Sequence, residues 1–388
     1  MNRFSVYIPV FFLAFVIPAT FASANCFVTG TIPGQGNIVV CDGNPPNPDP
    51  SGVQVGTEST NDNDEITIEA GASINTGGFA VSAGQGADLV VVNPGAGNLT
   101  GGGSSLATDG SGNTFIVRGG NLTAGNGIFF NGGDNNSVEF SNATINAGNN
   151  GMFFGAGSNN SVMVSSGNII AGNNGIALLT GNNNAVEISK ASITAGNNGV
   201  FFNDGNNKSL IFNSGTINAV NTGIFMNFGN NTIHINGGTI TPQFGRAIET
   251  QDGEDLIVLR GGRIDPNMAG ETIFTGPGND TVRIVRLDSF SGLIDGEEGE
   301  ADTLIFAQVI PNTEQCNTLR GQIAALNPSG DSITINGISF TWVNFEIIED
   351  QLTCLNPIPT LSEWGLIGLA GVLGLIGFMA IRRKKITA

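Results

Sequence analysis

Over most of this chain, apolar and polar residues alternate in runs of four or five, the two-residue period of a β-strand. The runs Ser137-Val-Glu-Phe140, Ser161-Val-Met-Val164, Ala185-Val-Glu-Ile188, Ser209-Leu-Ile-Phe212 and Thr232-Ile-His-Ile235 recur about every 24 residues. The phrases Ala147-Gly-Asn-Asn-Gly151, Ala171-Gly-Asn-Asn-Gly175 and Ala195-Gly-Asn-Asn-Gly199 keep the same step. Diverged copies extend the pattern from residue 61 to residue 308, about eleven coils in all. A fixed repeat of this length marks a solenoid. Stacking the repeats aligns apolar columns, one of them Val138, Val162, Val186, Leu210, Ile233 and Ile257. A second is Ile145, Ile169, Ile193, Ile217, Ile240 and Ile264. Asn and Gly between the runs suit turns with left-handed backbone angles. The expected fold is all-β, a single-stranded parallel β-helix, with right-handed winding as the default for parallel connections. The 58 glycines and frequent asparagines work against a helical reading. The in-register apolar residues work against disorder.

A third pattern carries a consequence for the surface. In Gly127-Ile-Phe-Phe130 and its copies, Ile128, Met152, Ile176, Val200 and Ile224 point inward, as do the residues two further on. Phe129, Phe153, Ala177, Phe201 and Phe225 must then face outward. An outward file of Phe is either a contact strip for a partner or a surface covered by a loop or cap. A strand phase wrong by one residue would also produce it.

The two ends break the alternation with continuous apolar runs. Arg3, the apolar stretch Val6–Ile17 and Ala22-Ser-Ala24 read as a secretory signal cleaved near Ala24. Pro9, Pro18 and the short run argue against a retained span, and Asn25 before Cys26 argues against lipidation. Near the other end, Leu366–Ile381 is apolar and precedes Arg382-Arg-Lys-Lys385. With Trp364 and Gly365 the run reaches 18 residues, enough for a C-terminal transmembrane helix. Its basic flank is expected to stay cytoplasmic. The expected layout is therefore a signal at 1–24, an N-terminal cap at 25–60, the β-helix at 61–308, a C-terminal cap at 309–356 and a tail at 357–388.

Composition adds an address and removes some partners. Between the apolar ends lie all 32 acidic residues but only 9 of the 14 Lys and Arg, a net charge near −23. Such a body repels phosphate backbones, so nucleic acid is not an expected partner. Cys26, Cys41, Cys316 and Cys354 form an even set with no metal or redox spacing, which in an exported chain indicates disulfides. Pairing within each end is expected, because the solenoid holds the ends apart, and each bond would staple a cap.

Candidate chemistry is sparse. Glu139 and Glu187 share an outward column but stand two coils apart with Met163 between them, which is loose for a catalytic pair of carboxylates. His234, the single histidine, lies in the same column with no nucleophile assembled around it. Thr275-Gly-Pro-Gly-Asn-Asp-Thr-Val282 matches much of a calcium-binding nonapeptide, echoed at Asp252–Asp255 and Glu298–Asp302. The copies are not in immediate tandem, so acidic turns are expected there, with no metal and no cofactor.

Two resemblances remain. Thr275–Val282, Gly292-Leu-Ile-Asp-Gly296 and Ala301-Asp-Thr-Leu-Ile-Phe306, followed by a helix-like stretch at 314–326, resemble the distal part of a bacterial autotransporter passenger domain. That implies a surface-exposed β-helix, often adhesive, although no run of barrel strands follows. Ile358-Pro359-Thr360-Leu361-Ser362-Glu363-Trp364-Gly365, the apolar run and the basic cluster resemble the IPTL-CTERM sorting tail of Gram-negative bacteria. The resemblance implies recognition by an exosortase-like membrane enzyme through Pro359, Thr360, Glu363 and Trp364, and cleavage there. A permanent tail anchor is the alternative. The resulting expectation is a non-enzymatic structural or adhesive protein, held at the inner membrane as a precursor with its solenoid on the periplasmic side, then displayed in the envelope or at the surface. A polysaccharide-active β-helix enzyme is the alternative, and a calcium-dependent surface layer component a third reading.

Overall fold

The computed structural model describes residues 26–32, 36–44, 52–54, 63–266, 270–286, 289–297 and 301–355, with a few positions between 367 and 373. The expected signal peptide and the residues Ile358–Gly365 lie outside the described residues. The chain divides into two compact units, residues 1–203 and 204–388. Together they carry about ten turns of parallel β-solenoid.

The first unit opens with an antiparallel hairpin, Cys26–Ile32 against Gly36–Cys41, closed by the Cys26–Cys41 disulfide. Gly36–Cys41 then pairs in parallel with Glu65–Ile68, which starts the stack. From there each strand pairs with its equivalent one coil on: Leu89–Val92, Thr114–Val117, Ser137–Phe140, Ser161–Val164 and Ala185–Ile188. A second face stacks Thr144–Ala147, Gly167–Ala171 and Ala191–Ala195, and a third stacks Met152–Phe154, Ile176–Leu178 and Val200–Phe202. Val138, Val162 and Val186 are in register, as the repeat requires, and Ile145, Ile169 and Ile193 likewise. All six are buried. Inside the unit, Phe130 and Phe154 stack with centroids 4.4 Å apart.

The Asn-Gly phrases close the corners. Asn150 N–H donates to Asn126 Oδ1 at 3.2 Å, Asn174 N–H to Asn150 Oδ1 at 3.3 Å, and Asn198 N–H to Asn174 Oδ1 at 3.2 Å. The glycine after each is needed for close approach: a Cβ on Gly151 would lie 2.4 Å from the Gly175 carbonyl oxygen. At the next corner Gly157 has φ +120°, and its added Cβ would meet the Gly133 oxygen at 1.9 Å. Asn135, Asn159 and Asn183 take left-handed φ values near 58° at the same corner, which Asn tolerates better than branched residues.

The second unit repeats the scheme with Ser209–Phe212, Thr232–Ile235, Leu256–Leu259, Thr281–Ile284 and Thr303–Phe306. After Phe306 the chain leaves the coil path. It forms the α-helix Thr313–Ile323, capped by Asn312, whose side chain accepts from the N–H groups of Glu314 and Gln315. An antiparallel hairpin follows, Gly330–Ile335 against Ile338–Val343. Ile347–Asp350 then adds to Thr303–Phe306 as the last rung of that face. Trp342, buried against Phe306, donates its indole N–H to the Asn327 carbonyl at 3.2 Å. The Cys316–Cys354 disulfide ties the helix to the closing strand Thr353–Cys354.

The expected C-terminal transmembrane helix falls mostly outside the described residues. Among the described residues, no helix is long and apolar enough to cross a membrane.

Candidate functional site

The phase of the Phe-bearing strands is settled by burial. Ile128, Met152, Ile176 and Val200 are fully buried, so the residues beside them face outward. Phe129, Phe153, Ala177 and Phe201 are in register on successive coils of the first unit. Phe129 and Phe153 stack with centroids 5.4 Å apart and planes 7° from parallel. The Phe rings are half-buried rather than covered, and Ala177 between Phe153 and Phe201 has no exposed surface. The result is a flat aromatic strip whose small residue is roofed by its neighbours.

In the second unit the equivalent column runs Phe225, Glu249, Phe274 and Asp295. This column carries charge. The Arg246 guanidinium lies 4.0 Å from the centroid of Phe274 and pairs with Glu249 at 3.3 Å and Glu271 at 3.0 Å. Thr222 donates its hydroxyl to Glu249 at 3.2 Å. Stacking a cation on a ring between two carboxylates fixes Arg246 at a half-buried place.

A second file lies inside the corners, on the residue just before each strand of the first face. In the first unit Asn113, Asn136 and Asn160 each donate a backbone N–H to the side-chain oxygen of the next Asn, at 2.8–2.9 Å, ending on Asn184. In the second unit the same place holds Lys208, Asn231, Asp255, Asp280 and Asp302, all buried. The N–H groups of Asn231, Asp255 and Asp280 each donate to the next carboxylate at 2.7 Å. Burial pushes Asp255 up to about 7, against the bond from Asn231 N–H and the charge of Lys208. Burial also pushes Asp280 up to about 8, with the charges of Asp255 and Asp302 adding to it against the Asp255 N–H bond. Oδ2 of Asp280 is buried with no hydrogen-bond partner, which fits a carboxyl that keeps its proton.

The calcium-like phrases therefore place Asp255, Asp280 and Asp302 in this file, one to a coil, each accepting a backbone N–H. Among the described residues no group of three or more His, Cys, Asp or Glu is arranged to hold a metal ion. Glu139, Met163 and Glu187 do share one outward column. The His234 ring meets Arg260 at 2.8 Å, and burial with that guanidinium lowers its pKa.

Neither the polar file nor the Arg246 cluster was read from the sequence. The file had a signal there, since a polar residue precedes every aligned apolar run. The cluster had none, because Arg246, Glu249, Glu271 and Phe274 come from two coils without a repeated phrase.

The sorting residues Ile358–Gly365 are outside the described part. Just beyond them, the helical positions Ile367, Leu369, Val372 and Leu373 are each more than half exposed. No curated protein and no solved structure matches the chain. Residues 356–383 match the IPTL-CTERM motif, and the chain thus carries a C-terminal sorting signal.

Proposed function

We propose that this is an exported, surface-displayed β-solenoid with a structural or adhesive role, delivered through recognition of its tail by an exosortase-like membrane enzyme. The observation that carries this reading is the pairing of a sorting motif at 356–383 with a repeat scaffold. The precursor is held at the inner membrane by the apolar stretch 366–381, its solenoid on the periplasmic side. The tail is then cut and the body passes to the envelope or surface. The stacked Phe strip of the first unit supplies the contact face, since flat half-buried aromatic surface gives much contact area at little conformational cost. The body acts by contact and not by catalysis.

A Trp364→Ala protein tests the sorting step. Its C-terminus, read by mass spectrometry, is expected to remain uncut, and its body to become inaccessible to protease added outside the cell. A variant cut and displayed like the parent would remove the tail from the account.

A further inference from the structure

The corner that leads into the first-face strands carries an Asn-x-Ser triplet on several coils. In the first unit these are Asn135-Asn-Ser137 and Asn159-Asn-Ser161, and in the second unit Asn207-Lys-Ser209. The middle residue of each is buried in the polar file. In Asn136 and Asn160 the amide nitrogen is used inside the corner, donating to the Gly133 and Gly157 carbonyls at 2.9 Å. The leading asparagine does the opposite. Asn135, Asn159 and Asn207 are exposed, with φ of 59°, 58° and 56°. Their backbone N–H groups hold the corner, donating to the carbonyls of Ser158, Asn182 and Asn230 at 2.9–3.0 Å. Among the described residues, no hydrogen bond takes the Nδ2 of any of the three. Asn183 stands at the same corner but has Ala185 where the others have Ser. Its Nδ2 is used, donating to Asn159 Oδ1 at 3.1 Å. On these coils the amide nitrogen is open where the hydroxyl is kept and engaged where it is missing.

Turn chemistry asks for Asn or Gly at a left-handed φ and asks nothing of the residue two positions on. We propose that Asn135, Asn159 and Asn207 are acceptors for N-linked sugar, placed there by a glycosyltransferase that uses a glycosyl diphosphate donor. Asn-x-Ser with a centre other than Pro is the acceptor pattern for this modification in exported chains. Nδ2 adds to the anomeric carbon of the donor sugar. The bond from that carbon to the phosphate oxygen breaks, and the diphosphate leaves with its electron pair. The surplus proton passes from Nδ2 to a base of the transferase. One C–N bond forms, one C–O bond breaks, and nothing is oxidised or reduced. The fold has room for the product. Each acceptor is exposed, and its corner is held by backbone and by the buried residue that follows, so the sugar displaces no bond described above.

Asn135 and Asn159 stand on neighbouring coils, since Ser137 pairs with Ser161, so their sugars would form a hydrated ridge along that corner. The proposal rests neither on the Phe strip nor on cutting of the tail. The test is proteolysis and tandem mass spectrometry of the full-length protein purified from the cells that make it. Peptides holding Asn135, Asn159 and Asn207 are expected to carry added sugar mass, with fragment ions placing it on those asparagines. Ser161→Ala removes only the hydroxyl of the Asn159 triplet. It is expected to fold like the parent, by circular dichroism, and to lose the sugar at Asn159. Ser161→Thr is expected to retain it. A parent with sugar on none of the three asparagines would overturn the proposal. Sugar placed instead on Ser137, Ser161 or Ser209, or undiminished at Asn159 in Ser161→Ala, would overturn it equally.

Discussion

Asp280 shows how a single residue ties the buried file to the conditions in which the protein is stable. Its carboxyl titrates near 3.8 when unfolded and near 8 in the fold, chiefly because of burial. Between those values the folded chain holds a proton that the unfolded chain releases. The Asp280 contribution to stability is therefore full below about pH 4 and is lost as pH rises through about 8, by at most about 1.4 kcal/mol per pH unit for one proton. Thermal melts at stepped pH are expected to show the melting temperature falling across this window. Asp280→Asn, which copies the first unit's file, is expected to flatten that slope. An unchanged slope would mean that another group sets it. The aspartate was visible in the sequence as part of a calcium-like phrase. Its burial was not, because the phrase says nothing about which way the corner turns. Only the pairing of Thr281 with Leu256 and Thr303 places Asp280 between Asp255 and Asp302.

Strands are where the sequence was most informative. A period of two, repeated every coil, leaves one phase that buries Val138, Phe140 and Ile145 together, and the structure adopts it. The same logic separates two adjacent phenylalanines. Phe154 is buried and stacked on Phe130, so Phe154→Ala is expected to cost about 3–5 kcal/mol. Phe153 is half-buried in the outer strip, so Phe153→Ala is expected to cost about 1 kcal/mol. Denaturant titration of the two variants checks this, and equal losses would contradict the inward and outward assignment. The closing element was legible in outline only. The helix at Thr313–Ile323 and the hairpin around Asn336 and Gly337 have local signals. The return of Ile347–Asp350 to the face left at Phe306 has none, since it depends on contacts far apart in sequence. There the disulfide matters: Cys354→Ser is expected to cost about 2–5 kcal/mol in the second unit, read as earlier proteolysis of residues 309–355. A digestion rate equal to the parent's would leave the staple without a role.

At the scale of the whole molecule, the account joins a repeat scaffold to a sorting signal. About ten turns of solenoid, with disulfides near both ends, make a body suited to stand outside the cytoplasm. The motif at 356–383 is a C-terminal sorting signal, and the aromatic strip of the first unit is the contact surface proposed above. The route was legible because a sorting tail is read as a linear phrase. The partner was not, since a flat strip of stacked rings fixes area and polarity but no particular ligand. The most direct measurement is fractionation of cells making the full chain and of cells making a chain that stops at residue 355. With the tail, the protein is expected in the membrane and surface fractions. Without it, the folded body is expected in the soluble exported fraction. The same distribution for both chains would contradict the account.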